Sequence, residues 1–199
     1  MSTSRTDSYS LPPAVRRVAE SFRIGGWVGF WSQVVLAVIS AIVLMLASVA
    51  PRAATTTPQG VRVAANNPGT GAGSFFAVLG LIGLLAGAYW AFRYTRLGRK
   101  LKTANSQNRP RRGDVIKALQ IGIMISLVGM LVSLIGSFAT VGALFGVAAS
   151  AGFTPFGGGT FNFVSSIDML VVQSNINLVL GHFVGLVASL WLLRSANRQ

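Results

Sequence analysis

RYTRLGRKLKTANSQNRPRRGDVIK, residues 93–117, carries nine basic residues and lies between two long stretches that contain no Lys, Arg, Asp or Glu. Working outward, the same pattern recurs at both ends of the chain. Four uncharged apolar segments, 24–50, 75–92, 118–147 and 169–193, are separated or flanked by charge. Each is long enough for the roughly 18 to 20 apolar residues that cross a hydrocarbon layer about 30 Å thick. Four crossings put both termini and residues 93–117 on one side. Of the 17 Lys and Arg residues, all but Arg52 and Arg62 then fall on that side. Positive charge is retained on the cytoplasmic face of membrane proteins, so both termini are expected in the cytoplasm.

Composition separates this reading from others that a net charge of +13 would allow. A soluble nucleic-acid binder interleaves basic residues with aromatics that stack on bases. Here 52% of residues are hydrophobic and only 11% charged, and the charges cluster at the ends of apolar spans, so no nucleic-acid partner is expected. Without cysteine there is no disulfide framework and no thiolate nucleophile or ligand. Trp27, Trp31, Trp90 and Trp191 all sit toward the basic ends, where an interfacial aromatic belt is expected. The first span is too long for the roughly 7 to 15 apolar residues of a cleavable signal peptide.

The expected fold is all-α: a polytopic integral membrane protein with four transmembrane helices. Residues 1–13 are expected to be disordered, and residues 14–196 to form a single four-helix membrane domain with spans at about 24–50, 75–97, 115–147 and 169–193. Val15, Val18 and Phe22 share one helical face and Arg16, Arg17, Glu20 and Arg23 the other, so a short N-terminal interfacial helix should precede the first span. Residues 51–74, rich in Thr, Pro, Asn and Gly, should form a mobile loop on the far side. Residues 105–113 read as a turn, and Asp114 as the N-cap of the third helix. At 1.5 Å per residue, 118–147 would measure about 45 Å. The third helix therefore either tilts and protrudes or breaks near Gly142 or Gly146.

Small residues repeat in the third span: Gly122, Ser126, Gly129, Ser133, Gly136 and Thr140 stand at alternating steps of four and three. The mean spacing of about 3.5 makes one seam that lets another helix approach closely. Gly29 with Gln33 in the first span, Gly83 and Gly87 in the second, and Gly181 and Gly185 in the fourth offer matching packing faces.

Polar residues inside the spans are the transport or polar-layer candidates: Gln33, Ser126, Asp168, Gln173, Asn175 and His182. Asp168, Asn175 and His182 stand at steps of seven and share a face. Fourteen helical residues separate Asp168 from His182 by about 21 Å, so they cannot chelate one ion. Metal ligands lie within about 2 to 2.6 Å of the ion, and any metal role for His182 needs partners from other helices or subunits. Counted inward from Arg23 and from Arg194, Gln33 lies about 15 Å deep and His182 about 18 Å. Both are near mid-membrane and should face each other or share a polar layer with Ser126. Such a layer is either interhelical hydrogen bonding or an ion or substrate path.

Gly29-Phe30-Trp31-Ser32-Gln33, Arg111-Arg112-Gly113-Asp114-Val115-Ile116-Lys117, Ala139-Thr140-Val141-Gly142, the run from Asp168 through Gln173 to His182-Phe183-Val184-Gly185, and Leu192-Leu193-Arg194-Ser195 together resemble a family. They are similar to the cyanobacterial relatives of a chloroplast inner-envelope protein described both as a Tic translocon subunit and as "permease in chloroplasts". The resemblance covers roughly residues 15–196. It implies four membrane helices and one of two roles, preprotein import or iron transport. Gln33, Asp168, Gln173 and His182 fall on positions that the family pattern carries. The plant members' transit peptide has no counterpart here, which points to a bacterial protein in the cyanobacterial plasma membrane or, alternatively, the thylakoid. A lysine that the plant pattern places after Gly142 is also missing.

An iron permease needs hard or imidazole ligands at one depth, whereas the spans here offer one His and no carboxylate. The expected function is accordingly an accessory or assembling subunit of a membrane transport or protein-translocation system, as a homo-oligomer or within a larger complex. The alternatives are an iron or other metal-ion permease, with iron as its cargo, and a structural membrane scaffold. No resident cofactor is expected, and no enzymatic activity, because no nucleophile, base and orienting group coincide.

Overall fold

The computed structural model describes residues 13–49, 54–56, 62–64, 68–101, 112–150 and 166–197. Four long helices account for nearly all of them: α1 (Pro13–Val49), α2 (Pro68–Leu101), α3 (Arg112–Ser150) and α4 (Ser166–Asn197). Proline opens α1 and α2, where the missing N–H is one that the first turn would leave unbonded anyway. Between α1 and α2, two three-residue strands, β1 (Ala54–Thr56) and β2 (Arg62–Ala64), pair antiparallel with Thr55 opposite Val63. Thr and Val favour the pleated pairing, and α2 starts at Pro68, so the described residues within the expected 51–74 loop are two short strands and the first turns of α2, and the rest of that range lies outside the described residues. The expected N-terminal disorder and most of the 105–113 turn lie outside the described residues.

Each helix packs on its neighbours in chain order, α4 closes the ring against α1, and α2 and α4 also meet across the diagonal. That diagonal is a product of glycine. Gly83 of α2 faces the His182 ring, and a Cβ on Gly181 of α4 would lie 2.7 Å from Leu84 Cδ1. All four helices are long and apolar enough to cross a membrane. The chain is an integral membrane protein. Phe22, Tyr94, Val115, Leu119, Leu192 and Ala196 form one apolar cluster, with Phe22 edge-on to Tyr94 at 6.4 Å. It joins the start of α1, the end of α2, the start of α3 and the end of α4, so the basic segments gather at one end of the bundle.

Polarity is distributed as a lipid solvent requires. Gln33, Ser126, Ser133, Asn175 and His182 are buried, while Phe75, Met124, Phe138, Phe145 and Met45 are more than half exposed. Lipid tails are as apolar as these side chains, so their exposure carries no hydrophobic penalty, whereas the polar groups gain by meeting each other inside.

Two local expectations are corrected and one open alternative is decided. Residues 14–23 do not form a separate interfacial helix but the first turns of an unbroken α1, held by the burial of Ala19 and Phe22. The third helix does not break at Gly142 or Gly146, since α3 is continuous for 39 residues, about 58 Å. A break in hydrocarbon would leave backbone groups without partners, and that outweighs the low helix propensity of two glycines. Asp114 lies within the first turn of α3 instead of capping it, because the helix starts at Arg112.

Candidate functional site: an axial polar seam

The buried polar residues lie along the interior of the bundle in successive levels. Nearest the basic end, Trp90 Nε1 donates to the carbonyl of Ala118 at 2.7 Å, and the Tyr94 hydroxyl reaches the same carbonyl at 3.5 Å. Tyr94 also exchanges a hydrogen bond with Ser189 Oγ at 3.2 Å. Helices α2, α3 and α4 are tied together here. Gly122 makes room for both rings, since a Cβ there would stand 3.0 Å from Trp90 Cδ1 and from Tyr94 Cζ. Trp90 is therefore half-buried with its ring nitrogen turned into the bundle, whereas Trp27, Trp31 and Trp191 are exposed.

One level deeper, Gln33 of α1 enters a notch between Gly87 of α2 and Gly185 of α4. A Cβ at Gly87 would be 3.2 Å from Gln33 Nε2, and one at Gly185 would be 3.2 Å from Gln33 Cδ and 3.0 Å from Ser126 Oγ. Gln33 and Ser126 thus share the space over Gly185. A void of about 10 Å³ remains beside them, and Gln33 Oε1 has no hydrogen-bond partner. On the same side, Gly29 meets the Cβ atoms of Ala188 and Ala91.

His182 belongs to the next level, three residues from Gly185 and about 4.5 Å farther along the axis. Its Nε2 lies 3.1 Å from the Gly80 carbonyl, which can only accept, so Nε2 carries the proton and Nδ1 presents a lone pair. Nδ1 has no partner. Gly129 and Gly83 flank the ring, and a Cβ on Gly129 would come 2.6 Å from Nδ1. His182 and Gln33 are therefore neighbours in consecutive levels and are not joined by a hydrogen bond.

Toward the far end, Asn175 Nδ2 donates to Val171 O at 3.2 Å, and its Oδ1, unpartnered, faces Gly136. Ser40 of α1 and Ser174 of α4 donate to each other's carbonyls at 3.5 and 3.3 Å. Asp168 is buried in the first turn of α4. Gln173 departs from the seam altogether: it is exposed on the outer face of α4, where its Nε2 donates to Asn177 Oδ1 at 3.0 Å.

The seam is therefore a row of acceptors. Gln33 Oε1, His182 Nδ1 and Asn175 Oδ1 are buried and unpartnered, each against glycine. Among the described residues no three His, Cys, Asp or Glu side chains gather closely enough to hold a metal ion. Sequence reasoning missed Tyr94, Trp90, Ser189 and the Ser40–Ser174 pair. Aromatic and hydroxyl groups near a span end read equally well as belt or surface residues, and only the helix rotation sends them inward.

A family model described as a protein of unknown function, DUF3611, matches residues 12–197. The chain is 31% identical over 201 residues to "Protein TIC 21, chloroplastic" of Arabidopsis thaliana. That alignment takes in 96% of this chain and 63% of the relative, so the chain spans less than two thirds of the relative's length. No solved structure matches. With the family model covering the whole four-helix bundle, the chain belongs to the DUF3611 family.

Proposed function

We propose that this protein is an accessory or assembling subunit of a membrane transport or protein-translocation system and does not itself form a passage. The observation that supports this most is the packing of the interior. Glycine notches that could have lined a conduit are occupied: Gly122 by Tyr94, Gly129 by His182, Gly136 by Asn175, Gly181 by Leu84 and Gly185 by Gln33. The void beside Gln33, about 10 Å³, holds at most one water. The outer surface supports the same reading. Exposed Gln173 and half-buried Asn177, about 6 and 12 Å along α4 from Met169, bond each other with one hydrogen bond, and lipid offers their remaining amide groups no partner whereas a neighbouring membrane helix would. The likeness to the chloroplastic TIC 21 protein, and through it to the Tic import subunits, agrees in kind. In this proposal the basic end faces the cytoplasm, the partners are membrane helices of other subunits or of further copies, and no catalytic step is involved.

Mild crosslinking in native membrane, followed by purification and metal analysis of the same sample, tests it. Recovery with other membrane subunits, lost on Gln173→Leu with Asn177→Leu, is the expected result. Stoichiometric iron on an isolated oligomer would overturn it.

A second reading, a metal-ion permease, draws on the three unpartnered acceptors. Lone pairs at Gln33, His182 and Asn175 at successive depths are what a moving cation would visit. In that case liposomes containing the protein take up iron, and His182→Ala abolishes uptake while leaving the bundle folded. Uptake that survives His182→Ala excludes this route.

A further inference from the structure

We infer that the furrow between α1 and α2 at the basic end is a binding site for one anionic phospholipid. Arg23, Ile24, Trp27 and Val28 of α1 and Gly98 and Arg99 of α2 line an open groove of about 710 Å³, within the size range of small-molecule sites. Gly98 lets the two helices close on each other at the foot of the groove: a Cβ there would stand 3.1 Å from Ala19 O and 3.3 Å from Arg23 N, so the contact is made backbone to backbone.

The lining changes character along the membrane normal. Arg23 ends the charged segment before the first span, and Arg99 follows the second, so both cations lie at the water-facing end. Ile24, Val28 and Trp27, 58%, 57% and 37% exposed, continue the groove toward hydrocarbon. An amphiphile with an anionic head and an acyl tail matches that sequence of surfaces, and basic pockets between membrane helices bind such heads.

Nearby charges leave the two guanidinium groups available. Glu20 is paired with Arg16 at 3.2 Å, and Asp114 belongs to the first turn of α3. In the adjoining surface hollow, Arg93 lies over the Trp90 ring at 4.7 Å and Arg96 over Phe92 at 4.9 Å. Among the described residues Arg23 and Arg99 have neither a carboxylate nor an aromatic ring in such contact. A phosphodiester can accept from both guanidinium groups at once.

The full chain, reconstituted in vesicles of equal parts phosphatidylcholine and phosphatidylglycerol and then extracted in mild detergent, is assayed by native mass spectrometry for retained lipid. The wild type should retain phosphatidylglycerol in preference. R23Q/R99Q should lower that retention about thirtyfold, the effect of removing two cations from an anionic surface. R93Q/R96Q should lower it far less. V28W, which keeps both cations and blocks the apolar end, should also lower it. Equal retention of the two lipids by the wild type, or undiminished retention by R23Q/R99Q, would overturn the site. Insensitivity to V28W together with displacement by inorganic phosphate would likewise overturn it, by showing a free-anion site without a lipid tail.

Discussion

Gly129→Ala puts the packing of the seam to its most direct test. The added methyl would fall within the His182 ring, coming 2.6 Å from Nδ1 and nearer still to the two remaining ring atoms that face it. The ring cannot swing aside freely. It is fully buried, Gly83 flanks it from α2, and Nε2 is tied to Gly80 O. Forced overpacking costs about 1 to 3 kcal/mol. Losing an interhelical hydrogen bond in a membrane adds about 0.6 to 2 kcal/mol. A destabilisation of about 2 to 4 kcal/mol is therefore expected. Gly142→Ala is the control, because nothing lies within 4 Å of a Cβ there. It should leave stability unchanged or raise it by up to about 1 kcal/mol, the helix propensity that glycine forgoes. Unfolding by sodium dodecyl sulfate titration from mild micelles, followed by circular dichroism, measures both. A double variant, Gly129→Ala with His182→Ala, gives the methyl the space of the missing ring. Its loss should fall short of the sum of the single losses by at least about 1 kcal/mol. Wild-type stability of Gly129→Ala, or strict additivity in the double variant, would show that the imidazole does not occupy this notch.

Gln33→Met removes an amide whose oxygen has no partner while keeping the shape of the side chain, so the loss should stay below about 1 kcal/mol. A loss above 2 kcal/mol in the same titration would mean that the amide is bonded in the membrane. Trp90→Phe deletes the donor to Ala118 O and should destabilise by about 1 kcal/mol, whereas a belt tryptophan would leave helix packing unchanged. The cysteine-free chain also allows single-cysteine labelling without further substitution. With an impermeant maleimide outside spheroplasts, Gln59→Cys should react while Asn197→Cys reacts only after lysis; the reverse order would invert the orientation.

The membrane spans were legible because length and the absence of charge are local properties of the chain. The expected segments 24–50, 75–97, 115–147 and 169–193 all fall within the four candidate spans except for one residue at the end of the first and of the third. Counting from Arg23 and Arg194 at a fixed rise puts Gln33 and His182 near one level, whereas the bundle sets them in consecutive levels, Gln33 at Gly87 and Gly185 and His182 at Gly83 and Gly129. Rotation was not legible. Gln173 and Asn175 are two residues apart on α4 and look equally polar, yet one faces outward and the other is fully buried. Their directions differ by about 200° around the axis, and which of them points inward depends on the other three helices.

From the sequence alone came the number of crossings, the common end for the basic segments and the small-residue seams that permit close approach. Those follow from the fixed rise of a helix and from the energetics of charge in hydrocarbon. Tertiary structure alone decided which side chain fills each notch: His182 at Gly129, Gln33 at Gly185, Tyr94 at Gly122. A glycine in one helix creates a space without specifying its occupant. Only the mutual rotation and offset of four packed helices bring a particular side chain to it, and these are properties of the assembled bundle.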